Sequence, residues 1–161
     1  MNFEKMTEKA RSAIIDSQTI GVEEGHQQLE GEHLHMALLM QQDGLIPKLL
    51  HLMGIDTGAL IGDLEAELAR LPKVQGGGDG MYASRRLNQL LLDAERIAGE
   101  FKDEYVSVEH MYLALLAERS GPSAKLLAKY GIRREEFLQA LTKVRGNQRV
   151  TSATPEDQYD A

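Results

Sequence analysis

Two stretches of the chain carry nearly the same sequence, LEGEHLHMALL at residues 29–39 and VSVEHMYLALL at residues 106–116. They are offset by 77 residues, and at that offset residues 6–67 match residues 83–144 without a gap. Glycines and the Glu-His pairs stay in register, which is not expected of two unrelated helical segments. The sequence therefore predicts a duplicated unit whose two copies are related by a pseudo-twofold axis.

Each copy shows the apolar spacing of four helices. Thr7 and Ser84 stand where the first helix of each copy needs an N-cap. The second helix, at residues 34–40 and 111–117, is apolar on nearly every side, which is typical of the most buried helix of a bundle. A glycine ends the third helix of each copy. We predict an all-α fold of eight helices, arranged as two pseudo-twofold-related four-helix repeats.

The chain divides into one domain and one tail. We expect a domain over residues 1–145, with repeat one at 6–70 and repeat two at 84–145. A glycine-rich linker at residues 71–83 joins the repeats. Residues 146–161 are polar, and we predict that they form a flexible linker.

Composition excludes several classes of protein. The net charge of −7 disfavours nucleic-acid binding. The absence of cysteine excludes disulfides and cysteine nucleophiles, and it is typical of a reducing compartment. The longest apolar run is seven residues, 111–117; a membrane span needs about 20. The first residues show no apolar stretch of the kind that a secretory signal requires.

No catalytic or metal-binding motif stands out. His33 and His35 are two residues apart, so a helix directs them to different faces, and no His-Glu-x-x-His sequence occurs. The glycines at 76–80 are not followed by the Lys-Ser or Lys-Thr of a phosphate-binding loop. No nucleophile, base and oxyanion donor come together in the sequence. We therefore predict neither a metal nor an enzymatic activity.

The Glu-His pairs open the most buried helix of each copy. An acid in the first turn is favoured by the helix dipole by about 0.3–1 kcal/mol, which is a sufficient structural explanation. The functional interpretation is that Glu109 lies near Thr7 or Ser84, where its carboxylate binds the backbone amides or basic side chains of a peptide.

An apolar stripe on the first helix of copy two has two interpretations. It contains Leu87, Leu90, Leu91 and Leu92, more than one helix face needs. Most of it is explained as core, and the alternative is that part of it lines a hydrophobic groove for unfolded chain. The seven methionines suit a tolerant binding surface but are also ordinary core residues.

The motifs taken together resemble a known family. Residues 3–7, the repeated Glu-His-x-x-x-Ala-Leu-Leu, the Leu-Pro-Lys-Val at 71–74 and the Pro-Glu-Asp-Gln-Tyr at 155–159 are similar to the double Clp N-motif of the Clp/Hsp100 chaperones. The linker and tail sequences favour the ClpB branch of disaggregases. The resemblance implies a substrate-binding domain tethered to a hexameric, ATP-driven unfoldase, to which it presents unfolded or aggregated polypeptides.

The resemblance also implies particular residues and partners. Thr7, Asp103 and Glu109 match the polar substrate-binding residues of the family, and Leu87 and Leu91 match its apolar groove. His110 departs from the apolar residue often found at its position. ATP and Mg²⁺ would bind to modules outside this chain, and the Hsp70 system would be met through a middle domain outside it. We expect no cofactor in this chain, no nucleic acid, no membrane and a cytoplasmic location.

Two other functions stay open from the sequence. In the ClpC branch, paired acidic pockets are implied to bind adaptors or phosphoarginine; Thr7 with Glu32 and Ser84 with Glu109 would form them here. The domain is alternatively a structural spacer that regulates assembly of the motor.

Overall fold

The computed structural model describes residues 3–74, 81–146, 148–157 and 159, and in them the chain forms eight α-helices. In chain order they are α1 (Glu8–Glu23), α2 (Gly31–Met40), α3 (Leu45–Leu52), α4 (Thr57–Ala69), α5 (Arg85–Glu100), α6 (Val108–Ala117), α7 (Pro122–Lys129) and α8 (Arg134–Arg145). Each helix of repeat two begins 77 positions after its counterpart in repeat one. The predicted all-α fold with four helices per repeat is confirmed.

Short elements complete the described structure. The strands β1 (Gln28–Leu29) and β2 (Tyr82–Ala83) form a parallel pair, and 3₁₀ turns occur at Phe3–Lys5 and Pro155–Asp157. Two-residue strands are too short to show an alternating pattern, so the sequence could not indicate them. None of the helices within the described ranges has the length and apolar character needed to cross a membrane.

Helix starts follow the predicted caps. The hydroxyl of Thr7 accepts the Ala10 N–H at 3.1 Å, and that of Ser84 accepts the Leu87 N–H at 3.0 Å. At the starts of α2 and α6 the histidine of each Glu-His pair turns back and accepts a backbone N–H, at 2.9 Å in both repeats. These histidines, His33 and His110, therefore serve as reciprocal caps.

Helices α2 and α6 meet at the pseudo-twofold axis. His35 and Tyr112 occupy equivalent positions, and His35 Nε2 lies 2.8 Å from the Tyr112 hydroxyl. The other ring nitrogen of His35 lies 3.0 Å from the Ser123 hydroxyl. Burial lowers the pKa of His35 to about 3 and raises the pKa of Tyr112. The centre of the fold therefore holds a neutral imidazole between two hydroxyl groups.

The two repeats also exchange backbone pairing. Met6, before α1, forms a parallel bridge with Val106 of repeat two. At the same offset Ala83, before α5, pairs with Leu29 of repeat one. The hydrogen bonds match too: the Thr7 N–H donates to the Val106 carbonyl and the Ser84 N–H to the Leu29 carbonyl, both at 2.9 Å. In each repeat, the segment before the first helix is therefore paired with the backbone of the other repeat.

The tail differs from the prediction of a flexible linker. Residues 148–157 and 159, which we call the C-terminal strap, lie against the domain, with Val150 fully buried and Tyr159 8% exposed. The Glu104 N–H donates to the Val150 carbonyl at 2.7 Å, and the Glu8 N–H donates to the Ala153 carbonyl at 2.7 Å. The anchors are single residues separated by polar ones, so no periodic pattern marks them in the sequence.

The glycine-rich linker can be compared only at residues 71–74 and 81–83, because 75–80 lie outside the described residues.

Replacing Tyr112 by Phe should destabilise the fold by about 1–3 kcal/mol, because one nitrogen of a fully buried histidine loses its partner. Chemical denaturation monitored by circular dichroism measures this loss. Tyr82→Phe is the matched control: Tyr82 is 57% exposed, and its loss of a hydroxyl should change stability by less than about 0.5 kcal/mol. Equal midpoints for the two variants would contradict a structural role for the axial contact.

Candidate functional site

The three predicted polar residues lie close to one another beneath the C-terminal strap. Thr7 and Glu109 are completely buried and Asp103 is 8% exposed. Each of them is hydrogen-bonded to one or more of three further residues. Those residues are Arg145 at the end of α8 and Glu156 and Tyr159 in the strap.

Arg145 joins the two acids of repeat two. Its guanidinium donates to Asp103 and, at 3.4 Å, to Glu109 Oε2. Its Nε–H donates to the Gln148 carbonyl at 2.7 Å, and the guanidinium lies over the ring of Phe101 at 5.7 Å from the ring centroid. A buried charge of each sign is thereby paired and hydrogen-bonded, which is the condition for tolerating it in the interior.

Asp103 accepts hydrogen bonds from three different parts of the domain. Burial acts to raise its pKa, but hydrogen bonds from His110, from the Val150 backbone and from Arg145 outweigh that effect and hold the pKa below its usual range. The His110 contact is 2.8 Å long and the Val150 N–H contact is 2.9 Å. The Asp103 carboxylate therefore stays ionised. It holds both His110, which caps α6, and the strap at Val150. His110, which stands where the family often has an apolar residue, orients the Asp103 carboxylate.

Thr7 and the start of α6 hold a strap carboxylate. The Thr7 hydroxyl caps α1 and at the same time donates to Glu156 Oε2 at 2.9 Å. The Val108 N–H approaches the same oxygen at 3.5 Å, while the Tyr159 hydroxyl donates to Glu109 Oε2 at 3.3 Å. Burial, reinforced by the nearby Glu109, raises the pKa of Glu156 to about 7. Two carboxyl groups therefore face each other where the strap is bound, and Glu156 holds a proton more readily there than in water.

The predicted apolar groove is not open in the structure. Leu87 and Leu91 are 3% and 7% exposed, because this face of α5 packs against α6. Only Leu92, which points away from that face, is exposed, to 54%. The expectation that Leu87 and Leu91 line an accessible groove is therefore wrong for this conformation. A core stripe and a groove wall have the same helical spacing, so the pattern could not distinguish them.

The alternative acidic pockets are paired differently from the prediction. Thr7 binds the segment that leads into Glu109, and Ser84 binds the segment that leads into Glu32. The exchange of pairing between the repeats causes this reversal. Glu32 is 9% exposed and accepts the Ser123 N–H at 3.1 Å, so its carboxylate already has a partner.

Glu118 is a further acid on the Ser84 side of the fold. It lies 3.6 Å from Arg86 and is only partly exposed. Burial raises its pKa to about 7, and the neighbouring acids Glu32, Asp93 and Glu30 reinforce that direction against the effect of Arg86. Among the described residues, no group of three or more acidic, histidine or cysteine side chains could hold a metal ion.

Replacing Arg145 by Met should cost about 3–5 kcal/mol of stability at neutral pH, because Asp103 and Glu109 would be left buried and unpaired. The loss should shrink in acid, because without the guanidinium that helps to hold its pKa down Asp103 can take up a proton. Denaturant melts at pH 7 and pH 4 measure it. Arg149→Met is the control, because Arg149 is exposed and its substitution removes the same charge from the same region. If both variants lost the same amount of stability, Arg145 would contribute only through the net charge of the protein, and the prediction would be wrong.

Comparison with known proteins supports the architecture and the sequence motifs. The sequence model of the family described as the Clp repeat (R) N-terminal domain matches residues 5–130. Chaperone protein ClpB of Clostridium tetani is 46% identical over 164 residues, which cover 100% of this chain and 19% of that protein. Chaperone protein ClpB of Nitratidesulfovibrio vulgaris is 43% identical over 165 residues with the same shares covered.

A solved structure gives the same answer for the fold. The crystal structure of the Hsp104 N-terminal domain from Candida albicans matches with a TM-score of 0.83 and 22% sequence identity, covering 94% of this chain and 99% of that one. The chain spans about a fifth of the length of the curated relatives that it matches. With the family model matching residues 5–130 and the relatives aligned over the whole chain, this protein belongs to the Clp N-terminal domain family.

Proposed function

We propose that this chain is the substrate-binding N-terminal domain of an ATP-dependent protein disaggregase. It captures exposed hydrophobic segments of unfolded or aggregated polypeptides and presents them to a hexameric motor. The motor, its ATP and Mg²⁺, and the contact with an Hsp70 system through a middle domain belong to the remainder of such a protein, in the cytoplasm. Membership of the family and identity to ClpB chaperones support this proposal.

One structural observation carries the proposal: the polar residues already hold an extended segment of chain. Asp103 accepts the N–H of Val150, Glu104 donates to the carbonyl of Val150, and the first turn of α1 donates to the carbonyl of Ala153. Backbone groups are the same in every polypeptide, so such contacts suit a surface that accepts many sequences. The side chains above them supply charge and one hydroxyl rather than a shaped pocket.

Apolar contacts would come from side chains that the fold leaves exposed. Phe3, four residues before Thr7, is 48% exposed, and the equivalent residues Ile15 and Leu92 are 58% and 54% exposed. A mostly polar cleft of ≈ 250 Å³ lies beside the strap, lined by Glu8, Lys9, Ser12, Ala153 and Thr154. Binding should be weak, because ordering a disordered chain costs several kcal/mol.

Phosphoarginine or adaptor binding is the second candidate. The pair Asp103 and Glu109 does hold a guanidinium, which shows that this chemistry is accommodated, but the guanidinium is that of Arg145. Glu32 on the other side is bonded to the Ser123 backbone. A phosphoarginine would therefore have to displace internal partners on either side, which places this function second.

The two N-caps provide a matched test of substrate binding. Thr7→Ala and Ser84→Ala each remove an equivalent N-cap and should lose about 1 kcal/mol of stability. In a chain whose strap is released by Val150→Asp, only Thr7→Ala should also weaken binding of a permanently unfolded protein, reduced and carboxymethylated α-lactalbumin, by about fivefold for one lost hydrogen bond. NMR titration gives both the affinity and the residues that shift. Equal weakening in both variants, or shifts scattered over the surface, would count against the site.

Calorimetry with free phosphoarginine separates the second candidate from the first. We expect no heat of binding at millimolar ligand, because the acids that would bind the guanidinium are already occupied. Measurable heat that disappears in Glu32→Gln would instead make the Ser84 and Glu32 side an arginine-binding pocket and reverse the ranking.

A further inference from the structure

The C-terminal strap occupies the surface that is proposed to bind substrate. It contacts all three of the polar residues predicted from the family resemblance. The Val150 N–H donates to Asp103, Glu156 accepts from Thr7, and the Tyr159 hydroxyl donates to Glu109. An incoming polypeptide cannot use these groups while the strap is bound, because each already has its partner.

The equivalent segment of repeat one shows what is particular to the strap. After α4 the chain also turns back, and the Val74 N–H donates to the Gly25 carbonyl at 2.9 Å. That segment must lie there, because it leads on to β2 and α5. The strap is instead bonded to the buried side chains Thr7, Asp103 and Glu109, and it crosses the starts of both α1 and α6. Its position is thus held by contacts of the kind that hold a bound peptide.

We infer that the C-terminal strap is an intramolecular ligand of the substrate site, and that an unfolded polypeptide binds by displacing it. The inference rests on the proposed function, since it concerns the same surface. It identifies the class of ligand that the surface accepts: a non-helical segment with a buried apolar residue followed, six positions later, by a carboxylate in a 3₁₀ turn.

The strap has the properties of a ligand that can leave. Its residues Gln148, Arg149 and Thr151 are exposed and add little packing. Glu156 Oε1 is buried and, in the described part of the chain, has no hydrogen-bond partner. Each buried polar atom without a partner costs free energy and so weakens docking. The strap is therefore bound firmly enough to occupy the site, but it can still dissociate from the site.

Protonation of Glu156 supports the same conclusion. Glu109 on α6 faces it, with Thr7 and the Val108 N–H as hydrogen-bond donors, Tyr159 beside Glu109, and Arg145 behind. Its pKa rises from 4.5 to about 7 when the strap is bound, so docking takes up a proton at Glu156. The contribution of Glu156 to docking is therefore largest below about pH 4.5 and is lost as the pH rises through about 7. Asp103, which accepts the Val150 N–H as a carboxylate, acts in the opposite direction at lower pH.

The first test releases the strap in the full 161-residue chain. Val150→Asp places a charge at a fully buried position beside Asp103, whereas Thr151→Asp adds the same charge at an exposed neighbour. Val150→Asp should bind carboxymethylated α-lactalbumin about five- to tenfold more tightly than the wild type, because the apparent affinity scales with the fraction of open sites. Thr151→Asp should bind like the wild type. Amide exchange at Glu8 and Glu104 reports whether the strap has been released.

A second variant tests the inference in the opposite direction and keeps the native packing. Glu156→Gln is neutral at every pH, so its strap should stay docked at pH 8, and it should bind the unfolded protein several-fold more weakly than the wild type there. The difference should vanish near pH 5, where Glu156 of the wild type is protonated as well.

The possible results separate the inference from the proposed function. Faster amide exchange in Val150→Asp with unchanged or weaker substrate binding would overturn the inference and leave the proposed function standing. Equal binding by Glu156→Gln and the wild type at pH 8 would also overturn it. If no variant and no wild-type protein binds the unfolded probe at any pH, the proposed function fails and the inference fails with it.

Discussion

The fold depends on backbone pairing that is exchanged between its two repeats. Met6 pairs with Val106, and Ala83 pairs with Leu29 at the same offset. Because the segment before the first helix of each repeat is bonded to the other repeat, neither repeat has a complete set of backbone partners alone. The exchange also decides that Thr7 lies beside the acidic helix start of repeat two. The candidate site is therefore a product of how the two halves are joined.

The sequence predicts local features of this protein well and non-local ones poorly. Helix number and the Thr7 and Ser84 caps follow from spacing and end chemistry within a few residues of each element. The backbone pairing that brings Thr7 beside the helix of Glu109 joins distant chain segments, and no local sequence pattern indicates it. Arg145 lies one position past the matched repeat, so the internal comparison gave no reason to single it out. The burial of Leu91 was equally hidden, since its spacing fits either interpretation.

The two repeats have the same backbone but different chemistry at one equivalent place. At the offset of 77, Arg145 corresponds to Leu68, which lies in the core at 2% exposure, and Asp103 corresponds to His26. Only repeat two therefore contains a buried ionic network, and the strap is bonded to that network. Such networks add little net stability because their charges must be removed from water. We interpret this one as defining where the strap docks.

The contacts of the strap are arranged in series along the chain. From its far end they are made by Tyr159, Glu156, Ala153 and Val150, each to a different point on the domain. A force that pulls the chain at residue 159 would load the Tyr159 contact first and the Val150 contact last, so the four contacts would break one at a time. Mechanical force would then uncover the surface beneath the strap in steps, beginning at Glu109.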